Sequence, residues 1–241
     1  MRLLVFQHID IEHPAIFRNF LADDGVAWDA VELDAGQPIP SLDGYDALWV
    51  MGGPMDVWQE DEHPWLVPEK AAVREAVVER RMPYFGVCLG HQLLGEALGG
   101  TVGPMENPEI GILDVDLTTA GAADPLFAGL GPTIKSLQWH GAAVSTLPDG
   151  GVALAQSPVC PVQALRVGDR AWGIQFHCEV TAATVPEWGV VPAYLQALED
   201  SLGTDALSRF QADAAAALPG FNASARKLYD NFMAQARSLT A

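Results

Sequence analysis

Apolar and polar positions alternate in blocks from the start of the chain. Residues 2–7, RLLVFQ, make a short apolar run that predicts a buried strand, and residues 14–22 carry the spacing of a helix. Further strands are predicted at 28–33, after Gly25, and at 46–50, where the run leads straight into MGGPMDV. Between them, GQPIPSLDGYD is a loop broken by Pro38, Pro40 and Gly44. Residues 68–80 predict an amphipathic helix, with Val73, Val77 and Val78 on one face and Lys70, Arg74, Glu75 and Glu79 elsewhere. A strand at 83–87 and a helix at 91–98 follow. Strand alternating with helix in this way predicts an α/β fold: a mostly parallel central sheet flanked by helices.

After Gly100 the texture changes. Short runs at 112–117, 133–137, 152–155, 162–166 and 171–176 are separated by Gly, Pro and Asp, and predict antiparallel strands and hairpins added to the sheet. From Thr204 the pattern is helical again, in two alanine-rich segments, 205–218 and 223–239, parted by Pro219-Gly220. No repeat and no linker divides the sequence. The expectation is one domain over 1–241, with a core at 1–180 and a helical extension at 181–241.

Charge narrows the classes of partner. With 31 acidic against 13 basic residues, the formal charge of −18 repels phosphate backbones and anionic lipid, so neither nucleic acid nor membrane is an expected partner. The first apolar run, Leu3 to Phe6, is too short for a signal-peptide core or a membrane span. Three cysteines, Cys88, Cys160 and Cys178, with no export signal read as reduced thiols in a cytoplasmic protein. No cysteine pair has ligand spacing and the six histidines are scattered, so no metal is called for.

The chemistry concentrates in three stretches. In YFGVCLGHQLLGEALGG, Cys88 stands between Gly86 and Gly90 where an apolar strand gives way to a helix. A tight strand-to-helix bend needs small neighbours, and it lifts a nucleophile out of the sheet. The helix N-terminus favours the anionic sulfur, and the Leu89 N–H points to where an oxyanion would form. Taken alone, G-x-C-x-G more often marks a buried structural cysteine beside loop glycines. In LWVMGGPMDVW, a Gly52 or Gly53 N–H could turn toward the carboxyl edge of the sheet, where ligands bind in open α/β folds; the ordinary reading is a plain turn. In WGIQFHCEV, a strand delivers His177, and Glu179, two residues on, faces the same side and can orient the imidazole.

Together, and in that order, MGGPM, FGVCLGHQLLGEALGG and GIQFHCEV resemble the class I, triad-type (Cys-His-Glu) glutamine amidotransferases over most of the chain from Arg2 to about Val180. The resemblance implies that Cys88 attacks a γ-carboxamide carbon, that His177 moves the proton and that Glu179 holds the ring. It places the oxyanion on the Gly53 and Leu89 amides. It gives Gln92 the substrate's amino-acid end, with Gly52, His140 and Gly141 as further substrate contacts, and implies no cofactor.

Two positions depart from the pattern. Between His177 and Glu179 the family commonly has proline, whereas this chain has Cys178, whose side chain alternates away from the site as a core thiol. In QWHGAAV, many relatives carry aspartate two residues after the histidine; here Ala142 stands in a loop bordering the substrate's amino-acid end, which weighs against plain glutamine. Five tryptophans, Trp58, Trp65, Trp139, Trp172 and Trp188, serve packing or line a pocket for a bulky amine. The acidic loop QEDEHPW is a solvated face or a lid.

Past Val180 there is no room for a synthase domain and no P-loop. The expected function is therefore a self-sufficient hydrolase of a γ-glutamyl amide or peptide, similar to γ-glutamyl peptidases and γ-glutamyl amide hydrolases. It acts on a small-molecule γ-glutamyl substrate through a γ-glutamyl thioester. One alternative is a glutaminase subunit that feeds ammonia to a separate synthase; another is a catalytically silent binding module on the same fold.

Overall fold

The computed structural model describes residues 1–238. The strands are β1 (Arg2–Gln7), β2 (Ala27–Glu32), β3 (Ala47–Val50), β4 (Tyr84–Val87), β5 (Thr101–Leu117), β6 (Thr133–Thr146), β7 (Gly151–Gln156), β8 (Ala164–Val167) and β9 (Ala171–Ile174). The α-helices are α1 (Phe17–Asp23), α2 (Leu66–Arg74), α3 (Leu89–Ala97), α4 (Thr119–Ala122), α5 (Thr184–Trp188), α6 (Pro192–Leu202) and α7 (Ala206–Ser238). All nine strands join one sheet in the order β2-β1-β3-β4-β9-β8-β7-β5-β6. Its first five strands are parallel and the rest run antiparallel to their neighbours.

The parallel half follows from the apolar runs. Successive side chains of a strand point to opposite faces, so a run that is apolar throughout needs cover on both sides. In β1, Leu3 and Val5 join the core on one face while Leu4 and Phe6 join the core on the other. The first face is closed by α1 and α7, where Trp49 meets Phe17, Phe85 and Phe232 with ring centroids 5.5, 5.8 and 5.7 Å away. The second face is closed by α2 and α3, through Leu66, Val73, Leu89 and Leu93.

Three sequence expectations are corrected. The two tail helices are one continuous helix, α7, with Pro219 inside it. A proline inside a helix costs on the order of 3 kcal/mol, but Phe210 and Ala214 before it and Phe221, Ala225, Leu228 and Phe232 after it are buried, with Ala217 and Leu218 half-buried against the same core, and this packing offsets that cost. Leu239, the last residue of the predicted segment, lies outside the described residues. The predicted strands at 112–117 and 133–137 are parts of a much longer ribbon, β5 against β6, paired from Thr101↔Thr146 to Asp116↔Thr133 with a bulge between Pro104 and Glu109. Its Gly and Pro residues read as loop in the sequence, whereas pairing with a neighbouring strand holds the backbone extended. His140, Gly141 and Ala142 accordingly sit on β6, not on a loop. The helix predicted at 68–80 ends as α-helix at Arg74 and continues as one π-helical turn, Glu75–Glu79, closed by Arg80 N–H on Glu75 O at 2.9 Å.

Candidate active site

β1, β3, β4 and β9 are parallel, so the segments leaving them emerge at one edge of the sheet. The chain order reverses beside β1, which has β2 on one side and β3 on the other. Such a switch point opens a crevice at the carboxyl ends of the strands. The GGP turn follows β3, Cys88 follows β4, and Gln175, His177 and Glu179 follow β9.

Cys88 has φ 51° and ψ −102°, a conformation a non-glycine residue adopts only when its surroundings impose it. They do so through the backbone. Cys88 N–H donates to Ile174 O at 2.8 Å, Gly90 N–H to Met51 O at 3.1 Å, and Tyr84 OH to Gly90 O at 2.7 Å. The flanking glycines make the close approach possible: a Cβ on Gly90 would lie 2.0 Å from Val50 O, and one on Gly86 2.4 Å from Gly90 O. Both neighbours are backbone and cannot swing aside. Gly90→Ala is therefore expected to cost about 3 kcal/mol or more of stability, as overpacking against backbone does. Urea unfolding checks this, and a midpoint within about 0.3 M of the wild type would show that the elbow has slack.

Cys88 is buried, 7% exposed as a residue, and its sulfur accepts a hydrogen bond from Gln175 Nε2 at 3.4 Å. His177 Nδ1 pairs with Glu179 Oε1 at 2.7 Å, and the second carboxylate oxygen accepts the Cys178 N–H at 3.0 Å. The backbone of His177 is fixed by two 2.9 Å bonds with Leu137 of β6, and its ring stands edge-on to Trp188 of α5, centroids 4.8 Å apart. Burial disfavours the charged ring, but the Glu179 carboxylate and the Cys88 sulfur within its range outweigh that and hold the His177 pKa well above its ordinary value. The arrangement brings a thiol and a buried imidazole to one strand edge, with the imidazole hydrogen-bonded to a carboxylate.

A cavity of about 270 Å³ opens over Cys88. Gly53, Leu89, Gln92, His140 and Gly141, all named from the sequence, line it. Gly52 does not; its carbonyl accepts from His8 and its Cα lies under the Glu12 carboxylate. Among the described residues, Gly53 N–H makes no hydrogen bond to a protein acceptor, and Gly53 and Leu89 both line the cavity. Gln92 already spends its amide N–H groups on Ala142 O and Gln175 Oε1, both at 3.1 Å, which leaves its oxygen as the group it can offer. His140 Nδ1 donates to Ala142 O at 2.9 Å, and its Nε2 approaches Glu109 Oε2 to 3.3 Å without a well-aligned hydrogen bond.

Of the five tryptophans singled out, Trp139 lines the cavity and Trp188 backs His177, while Trp172 is fully buried with its N–H on Asp124 at 3.0 Å. Trp58 and Trp65 take no part in the lining. Cys178 is wholly buried, and burial with the Glu179 charge pushes its thiol well above the ordinary value, as befits a core thiol. Burial likewise pushes the Cys160 thiol up to about 12.

Sequence reasoning missed several residues here. Gln175 carries a signal in hindsight, since it precedes His177 by two on the same side of an extended chain. Tyr194 of α6 lines the cavity and donates its hydroxyl to the buried Glu12. Burial raises the pKa of Glu12, against the pull of His177 and the Tyr194 hydrogen bond. His8 and Glu69 form a fully buried pair at 2.8 Å. No local pattern marks these four.

His91, in the same CLGHQ motif, is fully buried on α3, and burial lowers its pKa to about 4. The neutral ring is native, and the unfolded chain takes up a proton first as pH falls below about 6.5. Its contribution is complete above that pH and is lost on acidification toward 4, about 2 kcal/mol by pH 5. Urea midpoints at pH 7 and pH 5 should show His91→Met losing that much less than the wild type on acidification; equal losses would refute the assignment.

No group of three or more His, Cys, Asp or Glu side chains among the described residues is arranged to hold a metal. None of the described helices is long and apolar enough to cross a membrane.

The fold and the crevice define an α/β protein of the amidotransferase type, and comparison with known proteins agrees. The family model for class-I glutamine amidotransferases matches residues 17–186. The chain belongs to the class I glutamine amidotransferase family. It is similar to the glutamine amidotransferase-like protein YfeJ of Salmonella typhimurium, 34% identical with 84% of this chain and 85% of that protein covered. It is also similar to a subunit of the glutamine-hydrolysing GMP synthase of Sulfolobus acidocaldarius, 33% identical over 63% of this chain and 77% of that one. A crystal structure of a glutamine amidotransferase from Methylobacillus flagellatus superposes with a TM-score of 0.86 at 28% identity, covering 97% of this chain and 94% of that one.

Proposed function

We propose that this chain is a self-sufficient hydrolase of a γ-glutamyl amide bond, in which Cys88 is the nucleophile, His177 the acid–base group and Glu179 the residue that orients it. The observation that carries the reading is the far wall of the cavity. Ala193, Tyr194, Ala197 and Ser201, all on α6, close the space over Cys88. The reading places the leaving amine on this side, bounded by this chain's own C-terminal segment. Ile110 and Trp139 make that space partly apolar, which suits an amine larger than ammonia. Ala142, where many relatives hold a carboxylate, points the same way.

The chemistry then runs in two halves. His177 takes the thiol proton as the Cys88 sulfur bonds to the γ-carbonyl carbon, and the oxyanion forms against the Gly53 and Leu89 N–H groups. The C–N bond breaks as His177 hands its proton to the departing amine, leaving a γ-glutamyl thioester. A water molecule gives a proton to His177 and attacks the thioester, and the C–S bond breaks to release glutamate and restore the thiol. Gln175, donating to the sulfur, steadies the thiolate in both halves.

Likeness to a GMP synthase component favours a second reading, a glutaminase subunit that supplies ammonia to a separate synthase. Glutamate release by the purified chain decides between the two, with L-glutamine and a panel of γ-glutamyl amides and peptides compared side by side and Cys88→Ala as blank. The expected result is kcat/KM for one γ-glutamyl amide about tenfold or more above that for glutamine. Slow glutamine turnover and nothing else would instead make the chain a glutaminase that depends on its synthase.

A further inference from the structure

His8 follows β1 and Glu69 lies on α2, and neither side chain is exposed to solvent. Ring Nδ1 is 2.8 Å from Gly52 O, and ring Nε2 is 2.8 Å from Glu69 Oε1. A carbonyl oxygen only accepts, so Nδ1 carries a proton and donates. That holds whether the second proton sits on Nε2 or on the carboxyl group, because Glu69 and Nε2 share one proton either way. A buried ionisable pair is a weak source of stability, and its value lies in what it holds in place.

What it holds is a peptide between two glycines. Gly52–Gly53 has no side chain on either flank to resist rotation of the peptide plane, so its orientation needs an external anchor. In a trans peptide the C=O and the following N–H point in opposite directions. Gripping Gly52 O from the His8 side therefore turns Gly53 N–H to the other side. Gly53 lines the cavity with Cys88 and Leu89, while His8 and Gly52 stand behind it. The Glu12 carboxylate lies 2.6 Å from where a Gly52 Cβ would be, so that position admits only glycine beside it.

We propose that His8 and Glu69 are positioning residues that lock the Gly52–Gly53 peptide with its N–H turned toward Cys88. The oxyanion donor is then set by this chain alone, with no docking partner needed to complete it. The inference rests on the reading of Gly53 as an oxyanion donor given above.

The test is a paired replacement, His8→Leu with Glu69→Leu, which removes the grip without leaving one buried charge unpaired. Loss of a fixed oxyanion donor is expected to lower kcat by roughly 10²–10³-fold with little change in KM. Alkylation of Cys88 by iodoacetamide, a displacement that forms no oxyanion, is expected to stay within about threefold of the wild-type rate. His8→Asn with Glu69→Leu restores an N–H at the Nδ1 place and is expected to recover about tenfold or more of the lost kcat. Wild-type kcat in the double-leucine variant would overturn the lock. So would an alkylation rate that falls in step with kcat, since that reports general damage to the site. A wild-type chain no more active than Cys88→Ala would instead defeat the functional reading itself, before the lock is tested.

Discussion

Cys88→Ala is expected to reduce hydrolysis of the preferred γ-glutamyl substrate on the order of 10⁴–10⁶-fold, to the level set by the remaining oxyanion donors and by binding. No other thiol can replace it. Cys178 is fully buried with its thiol pushed well up by burial and the Glu179 charge, and Cys160 is buried and pushed up to about 12. Alanine keeps the Cβ, so the strained backbone at φ 51° and the Cys88 N–H bond to Ile174 O at 2.8 Å remain. Glutamate release checks the activity, and mass spectrometry after brief iodoacetamide treatment checks the site. The wild type should carry one label on Cys88 and the variant none. Activity within about tenfold of the wild type would remove Cys88 from the reaction.

Glu179→Gln is expected to lower kcat by roughly 10³–10⁴-fold while leaving substrate binding nearly unchanged. The loss follows from the count of donors and acceptors around the carboxylate. In the native site one carboxylate oxygen accepts from His177 Nδ1 at 2.7 Å and the other accepts the Cys178 N–H at 3.0 Å. A glutamine amide has one acceptor for these two donors. The rigid backbone N–H of Cys178 claims the oxygen, so the NH₂ group faces His177 Nδ1. That nitrogen must then accept, which moves the ring proton to Nε2. A ring protonated there cannot take the thiol proton. Removing the carboxylate also removes the charge that raises the pKa of His177, so the imidazolium form becomes scarcer as well. Steady-state kinetics would show the loss in kcat. A variant within about tenfold of the wild type would mean that Glu179 is structural.

Much of this site is readable from local spacing. Gly86 and Gly90 mark the elbow around Cys88 because a Cβ on Gly90 would lie 2.0 Å from Val50 O and one on Gly86 2.4 Å from Gly90 O. His177 and Glu179, two apart, face the same way because an extended chain alternates, and Gln175 follows by the same rule although the motif alone does not single it out. The tail departs from its sequence reading because tertiary packing outweighs a local signal. Pro219-Gly220 is a strong breaker signal, and only the buried stripe of α7 against the sheet overrides it. The β5–β6 ribbon is hidden in the sequence because TVGPMENPEIG has the composition of a loop and owes its extended form to its partner strand.

The sequence by itself determined the alternation of strand and helix, the bend that presents Cys88, and the order of Cys88, His177 and Glu179 along the chain. These depend on interactions within a few residues, where backbone geometry translates spacing directly into direction. Tertiary structure alone decided that His8 meets Glu69 across 61 positions and that Tyr194 meets Glu12 across 182. It also decided that α6 walls the cavity and which way the Gly52–Gly53 peptide faces. Parallel strands packed side by side bring such residues to one edge of the sheet. Their meeting depends on strand order, which no local pattern encodes.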